Sequence, residues 1–280
     1  MRDDVRAYYG ETLSSSADLK SDACCEISNP SEAIKAALAN IHPEVSNRYY
    51  GCGLVAPEDL SGKTILDLGC GTGRDAYLLA QLVGPTGEVI GVDMTDEQLD
   101  IARDYEAWHA NRFGFTRANT VFLKGYIEEL DALDIEPGSI DVVVSNCVIN
   151  LSIDKPAVFA GVRRLLKPGG TMHFADVYAQ QPVPEALRTD PVLYGECLAG
   201  ALSWSDFLEI VAEAGFATPK LVDHRPLAVT DEALLEKLDG LKFVSATVEL
   251  TTETTHSDNA PVGDPFLLPA TSSAGSACCG

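Results

Sequence analysis

The stretch that decides the fold is Thr64-Ile65-Leu66-Asp67-Leu68-Gly69-Cys70-Gly71-Thr72-Gly73-Arg74. Thr64–Leu68 is short, apolar and β-prone, and the glycines after it permit a tight turn. Residues 75–83 (DAYLLAQLV) then carry an apolar face at helical spacing, and Glu88–Asp93 (EVIGVD) reads as a second strand ending in an acid. Strand, glycine turn, helix, strand and acid in that order place a ligand at the helix N-terminus, where backbone N–H groups are unpaired. A lone glycine turn is weak evidence, but the ordered set is much stronger.

The same rhythm continues outward. Residues 97–113 are helical by spacing, with Asp96 as N-cap; 121–123 form a short third strand; 140–145 (IDVVVS) read as a strand buried on both faces. A helix over 156–166 stops at Lys167-Pro168-Gly169-Gly170, and 171–177 form a fifth strand. Alternating strands and helices with right-handed crossovers predict an α/β, doubly wound, Rossmann-like parallel sheet. Residues 179–203 interrupt the rhythm as an inserted lid, 204–214 resume as a helix, and 220–229 and 243–250 supply the last strands. The expected organisation is an N-terminal cysteine-bearing extension (1–60), a Rossmann-like core (61–178), a lid with the final strands (179–250) and a flexible Thr/Ser/Pro/Gly-rich tail (251–280).

Bulk properties narrow the function. The chain has 280 residues, enough for a sizeable core, and a formal net charge of −22. Such a surface repels phosphate backbones and anionic headgroups, so neither nucleic acid nor membrane is an expected partner. With no secretory signal and no long apolar run, the expected location is cytoplasmic. The eight cysteines are Cys24, Cys25, Cys52, Cys70, Cys147, Cys197, Cys278 and Cys279. Spread along a large α/β chain, they suit reduced thiols, ligands or redox chemistry better than a disulfide framework. The five histidines lack metal-ligand spacing, and Cys70, inside the glycine loop, reads as structural.

The turn is G-x-G-x-G and follows Asp67. An acid there repels a pyrophosphate but suits the cationic ends of S-adenosylmethionine. The passages LDLGCGTGRD and VDMTDEQLDIAR resemble consecutive motifs of the class I S-adenosylmethionine-dependent methyltransferases. The resemblance implies a cofactor site built on Asp67, Gly69, Gly71 and Gly73, with Asp93 at the ribose, Met94 near the adenine, and Ile127 and Glu128 as apolar and polar contacts. Asn146 belongs to the same expected set. Tyr50 joins it because cations favour aromatic faces; Tyr49 and Trp204 are further candidates, with core packing the alternative.

Three cysteine contexts sharpen the resemblance: Tyr50-Gly51-Cys52-Gly53-Leu54, Ser145-Asn146-Cys147-Val148-Ile149-Asn150-Leu151 and Gly195-Glu196-Cys197-Leu198. Together with Val5-Arg6-Ala7-Tyr8-Tyr9-Gly10 and Phe243-Val244-Ser245-Ala246-Thr247, they resemble the arsenite methyltransferases over roughly residues 5–250. The resemblance implies methylation of arsenite and methylarsenite, an arsenic detoxification, with Cys147 and Cys197 as As(III) ligands and Cys52 as a third ligand or redox partner. It further implies that Cys24 or Cys25 joins thiol–disulfide steps, with thioredoxin or glutathione as external reductant. The chemistry agrees, since soft As(III) selects thiolates and its lone pair needs no general base.

Two other readings remain at this point. A methyltransferase for a small organic acceptor, such as a quinone or sterol, would work without Cys147 and Cys197. A non-enzymatic thiol-based metalloid-binding protein would have no need of the Asp67, Gly73 and Asp93 set.

Overall fold

The computed structural model describes residues 31–48, 55–195, 197–229, 231–253 and 263–270. Eight strands form one sheet: β1 (Thr64–Leu68), β2 (Glu88–Asp93), β3 (Thr120–Lys124), β4 (Ile140–Asn146), β5 (Leu166–Ala179), β6 (Leu202–Ser203), β7 (Lys220–Pro226) and β8 (Phe243–Thr251). The order is β3-β2-β1-β4-β5-β8-β7, with β6 pairing off β5. Strands β1 to β5 pair in parallel through their crossovers, as expected for a doubly wound fold. The all-parallel expectation fails at the far edge: β8 runs antiparallel to both β5 and β7. A helix, Glu232–Leu238, spans the link between β7 and β8; having only one turn or so of apolar spacing, it is not legible as a separate element.

The strand alternation sorts residues onto two cores. Leu66, Leu68, Val143, Met172 and Phe174 face one cluster, and Ile65, Val142, Val144 and Ala175 face the other. Both faces are covered by helices, which is why β4 reads as a near-continuous apolar run. On the first face lie α6 (Lys155–Leu165) and α9 (Trp204–Glu213). Val158, Phe159, Val162 and Leu165 of α6 recur at one-turn spacing and are buried. Asp154 caps this helix, accepting from Ala157 N at 3.0 Å. Ser203 caps α9, accepting from Asp206 N at 3.1 Å. On the opposite face lie α1 (Glu32–Leu38), α2 (Pro43–Ser46), α3 (Arg74–Val83) and α4 (Asp96–Asp104).

Three boundaries differ from the expected ones. The helix predicted over 97–113 is two, α4 and α5 (Glu106–Phe113), broken at Tyr105 where φ is −103° and ψ 5°. Thr95, not Asp96, is the N-cap of α4. The Lys167-Pro168-Gly169-Gly170 turn does end α6, but the extended chain of β5 already begins at Leu166.

The inserted segment holds two short helices, α7 (Glu185–Arg188) and α8 (Pro191–Gly195), before β6. Residues 263–270 form a turn whose Phe266 packs against the larger core. Among the described residues no helix is long and apolar enough to cross a membrane.

Candidate active site

The carboxyl ends of β1, β2 and β4 open onto one cavity. Its floor is the β1–α3 turn. Gly69 sits at φ +71°, and a Cβ there would lie 2.5 Å from Val148 Cγ2, so only glycine fits. Gly71 N donates to Asp93 Oδ2 at 2.9 Å, and Thr95 N donates to Asp93 Oδ1 at 2.9 Å. The acid at the end of β2 is thereby locked to the turn after β1, and the Thr95 side chain and the Met94 backbone hold it as well.

Asp67, Gly69, Gly71, Asp93, Met94, Ile127, Glu128, Asn146 and Cys147 all line this cavity. Gly73 does not. It is the N-cap of α3 at φ +85°, pressed against Phe122, and its part is to let the helix start. Glu128 accepts from Ser152 Oγ at 3.2 Å, which ties the segment after β3 to the loop after β4. Trp204 packs at 5.0 Å from Tyr178 and 5.1 Å from Phe207 (ring centroids), in the core and away from the cavity. Tyr49, Tyr50, Cys52, Cys24, Cys25, Cys278 and Cys279 lie outside the described residues. Arg48, Arg74, Asp75 and Gln98 also line the cavity and were missed by sequence reasoning. Arg74 and Asp75 were legible as the first helical residues after the turn. Arg48 had no local signal, because it reaches the site from the segment after α2 only through the tertiary fold.

The electrostatics are those of a buried anionic bowl. Burial pushes the Asp67 carboxyl well above the usual carboxylate range, and the neighbouring Asp75 and Asp93 charges push it the same way. Burial also raises Asp93, opposed by the N–H bonds from Thr95 and Gly71. Asp67 is 3% exposed, and its Oδ2 has no hydrogen-bond partner. Asn146 Nδ2 donates to Asp75 Oδ2 at 3.2 Å. Burial pushes the Cys70 thiol well up, so it stays protonated and inert, as its place in the loop suggests.

Cys147 follows β4 at the rim of the cavity, and its N–H donates to Ala175 O at 2.9 Å. The insert brings Cys197 to it: Cys197 Sγ donates to Cys147 O at 3.4 Å. The two are 4% and 1% exposed. Both adopt left-handed backbone, φ +55° and +61°. Cys147 is disulfide-bonded. Among the described residues no three histidine, cysteine or acidic side chains gather as a metal site.

This arrangement has counterparts. A methyltransferase-domain family model matches residues 59–215. The chain is 54% identical over 250 residues to the arsenite methyltransferase of Aquipseudomonas alcaligenes, covering 89% of this chain and 72% of that one. It is 46% identical over 248 residues to the human arsenite methyltransferase, covering 88% of this chain and 66% of that one. It thus spans about two thirds of the human protein's length. Its structure is similar to that of an arsenic(III) S-adenosylmethionine methyltransferase from Chlamydomonas reinhardtii, with a TM-score of 0.75, 43% identity and coverage of 79% of this chain and 74% of that one. The chain, with its glycine turn between Asp67 and Asp93 and with Cys147 and Cys197 side by side at the rim, belongs to the arsenite methyltransferases of the class I methyltransferase fold.

Proposed function

We propose that this chain methylates trivalent arsenic held on Cys147 and Cys197, taking the methyl group from S-adenosylmethionine bound in the adjoining cavity. The observation that carries the reading is the meeting of the β4 terminus and the insert, which sets Cys197 Sγ 3.4 Å from Cys147 O at the rim of the acid-lined bowl.

The bowl fits the methyl donor. S-adenosylmethionine supplies an electrophilic methyl group on a sulfonium and a cationic amino end. Asp67, buried and with one oxygen lacking a partner, provides the acceptor for such a cation and gains from its charge. Asp93 serves the ribose hydroxyls, Met94 and Ile127 give apolar contact to the adenine, and Glu128 gives a polar one. Gly69 and Gly71 let the backbone approach closely. Asn146 holds Asp75, and Arg48 lines the same bowl as a counter-charge for a carboxylate.

Arsenous acid is a soft, pyramidal substrate. Each thiol that displaces a hydroxide from arsenic releases water and forms an As–S bond. The arsenic lone pair then forms the As–C bond, while the pair of the broken methyl–sulfur bond stays on the sulfonium sulfur. No proton leaves the nucleophile, so these residues need only position and exclude water. Arsenic is pentavalent after this step. Two cysteine thiolates return it to the trivalent state by giving up two electrons and closing a disulfide, and thioredoxin or glutathione reopens that disulfide. Cys52, with Cys24 or Cys25, would supply the third ligand and the exchange partner.

The test is to incubate purified protein with S-adenosylmethionine, arsenite and a thiol reductant, and to separate arsenic species with elemental detection. Methylated arsenic that requires all three supports the reading. Unmethylated arsenite alongside demonstrable cofactor binding overturns it.

A further inference from the structure

The loop after β4 and the insert are stitched together by contacts that involve neither sulfur. Asn150 is 3% exposed. Its Nδ2 donates to Val177 O at 2.6 Å and to Cys197 O at 3.4 Å. Its own backbone N–H donates to Asp176 Oδ2 at 3.1 Å, and Val177 N donates to Asp176 Oδ1 at 2.9 Å. Asp176, 2% exposed near the end of β5, is therefore the fixed post and Asn150 the arm reaching across to the insert. One residue on, Leu151 O accepts from Tyr194 OH at 2.9 Å. Gly200 closes over the same point: a Cβ there would lie 2.0 Å from Asn150 O.

We infer that Asn150 is a positioning residue for arsenic capture, holding the Cys197 carbonyl so that the Cys197 thiol is presented to the Cys147 loop. The inference rests on the ligand reading above and deepens it. Cys197 sits at φ +61°, a conformation the chain keeps only where surrounding bonds over-determine it. The amide of Asn150 is one such bond, since it takes the carbonyl of the strained residue itself. The Tyr194 hydroxyl is a second, three residues earlier on the same insert. Neither Asn150 nor Tyr194 lines the cofactor cavity, although Cys147 and Leu151 beside them do, so the two bindings are told apart by measuring each.

The test uses the reduced 280-residue chain and three variants. Asn150→Leu keeps the branching of the side chain, adds no charge and removes the donor; Tyr194→Phe removes only the hydroxyl; Cys197→Ser is the ligand control. Measured are the arsenite KM, arsenite affinity by competition with a small dithiol, kcat at saturating arsenite, and S-adenosylmethionine affinity by calorimetry. Loss of a buried hydrogen bond predicts arsenite KM and dissociation constant rising about tenfold in Asn150→Leu and a few-fold in Tyr194→Phe. Cofactor affinity should stay within about twofold and kcat should fall much less than KM rises. Unchanged arsenite affinity in both folded variants overturns the inference, as does a parallel loss of cofactor affinity. Should Asn150→Leu fail to fold, Tyr194→Phe alone decides on the same criteria. Normal arsenite capture by Cys197→Ser would overturn the ligand reading itself; its loss there, with both positioning variants normal, would overturn only the role of Asn150.

Discussion

The Cys197 thiol donates to the carbonyl of Cys147 while both residues stand in left-handed backbone, at φ +61° and +55°. For a residue with a Cβ this conformation costs about 1 kcal/mol or more. A fold that placed cysteine there for packing alone would gain by using glycine. At Cys197, replacement by glycine should therefore cost no more stability than replacement by alanine, whereas in ordinary extended or helical backbone glycine is worse by about 0.5–1 kcal/mol. Both variants should lose arsenite methylation. Urea unfolding of the pair decides it: an alanine variant clearly more stable than the glycine variant would show that the backbone there is unstrained.

Asp67 is a buried acid that lines the cavity with its Oδ2 unpartnered, and on the proposed reading it receives the cationic end of S-adenosylmethionine. Asp67→Asn keeps the shape and removes the charge. Losing a charge-assisted contact of about 1.5–3 kcal/mol predicts a roughly 10- to 100-fold weaker S-adenosylmethionine complex. The carboxyl is held well up by burial, so a bound cation should lower it and release a proton. Calorimetry in buffers of different ionisation enthalpy should show that release in the native protein and a smaller one in the variant. Equal proton release in both would place the titrating group elsewhere.

Gly69 allows only 2.5 Å between an added Cβ and Val148 Cγ2, and its φ is +71°. Gly69→Ala must displace Val148, the neighbour of Cys147. The expected result is loss of most cofactor binding together with a stability cost of about 1–3 kcal/mol. Gly69→Ala with Val148→Ala should recover stability in part, because the clash is with that side chain. No recovery in thermal unfolding would mean that backbone strain dominates.

The β1–α3–β2 unit was legible because every cue was local: Ile65 and Leu66 alternate faces, the glycines mark the turn, and Asp93 closes the strand. Cys147 was legible as a residue at the carboxyl end of β4, where parallel sheets bind ligands. The antiparallel pairing of β8 with β5 was not, since strand direction there depends on how a short link and the helix Glu232–Leu238 turn the chain. The break at Tyr105 escaped because the apolar spacing of 97–113 continues through it. Arg48 and Asn150 were invisible as site residues for a common reason: their positions arise from contacts far apart in sequence, such as the 47-residue separation between Asn150 and Cys197.

His109 couples the N-terminal segment to the sheet-facing helices and should leave a signature in acid stability. Its Nε2 accepts from His42 N at 3.1 Å, its Nδ1 lies 2.8 Å from Tyr105 O, and its ring stacks on Tyr77 at 3.6 Å. The first contact needs an unprotonated Nε2, so the proton belongs on Nδ1 and the ring is neutral. Burial, opposed by the bond to Tyr105 and aided by the nearby His42, lowers its pKa to about 4. In the unfolded chain a histidine titrates near 6.5, so below that pH the unfolded state binds a proton the native state refuses. The stability contributed is fully present above about pH 6.5 and is lost as pH falls toward about 4, by up to about 3 kcal/mol. Acids such as Asp176, raised by burial to about 7, shift stability in the opposite sense, so the informative quantity is a difference curve. Chemical unfolding of the native protein and of His109→Gln from pH 8 to 4.5 should show the native protein losing stability faster on acidification. The two curves should run parallel above pH 7. Parallel curves throughout would mean that His109 accepts a proton in the folded state as readily as in the unfolded one.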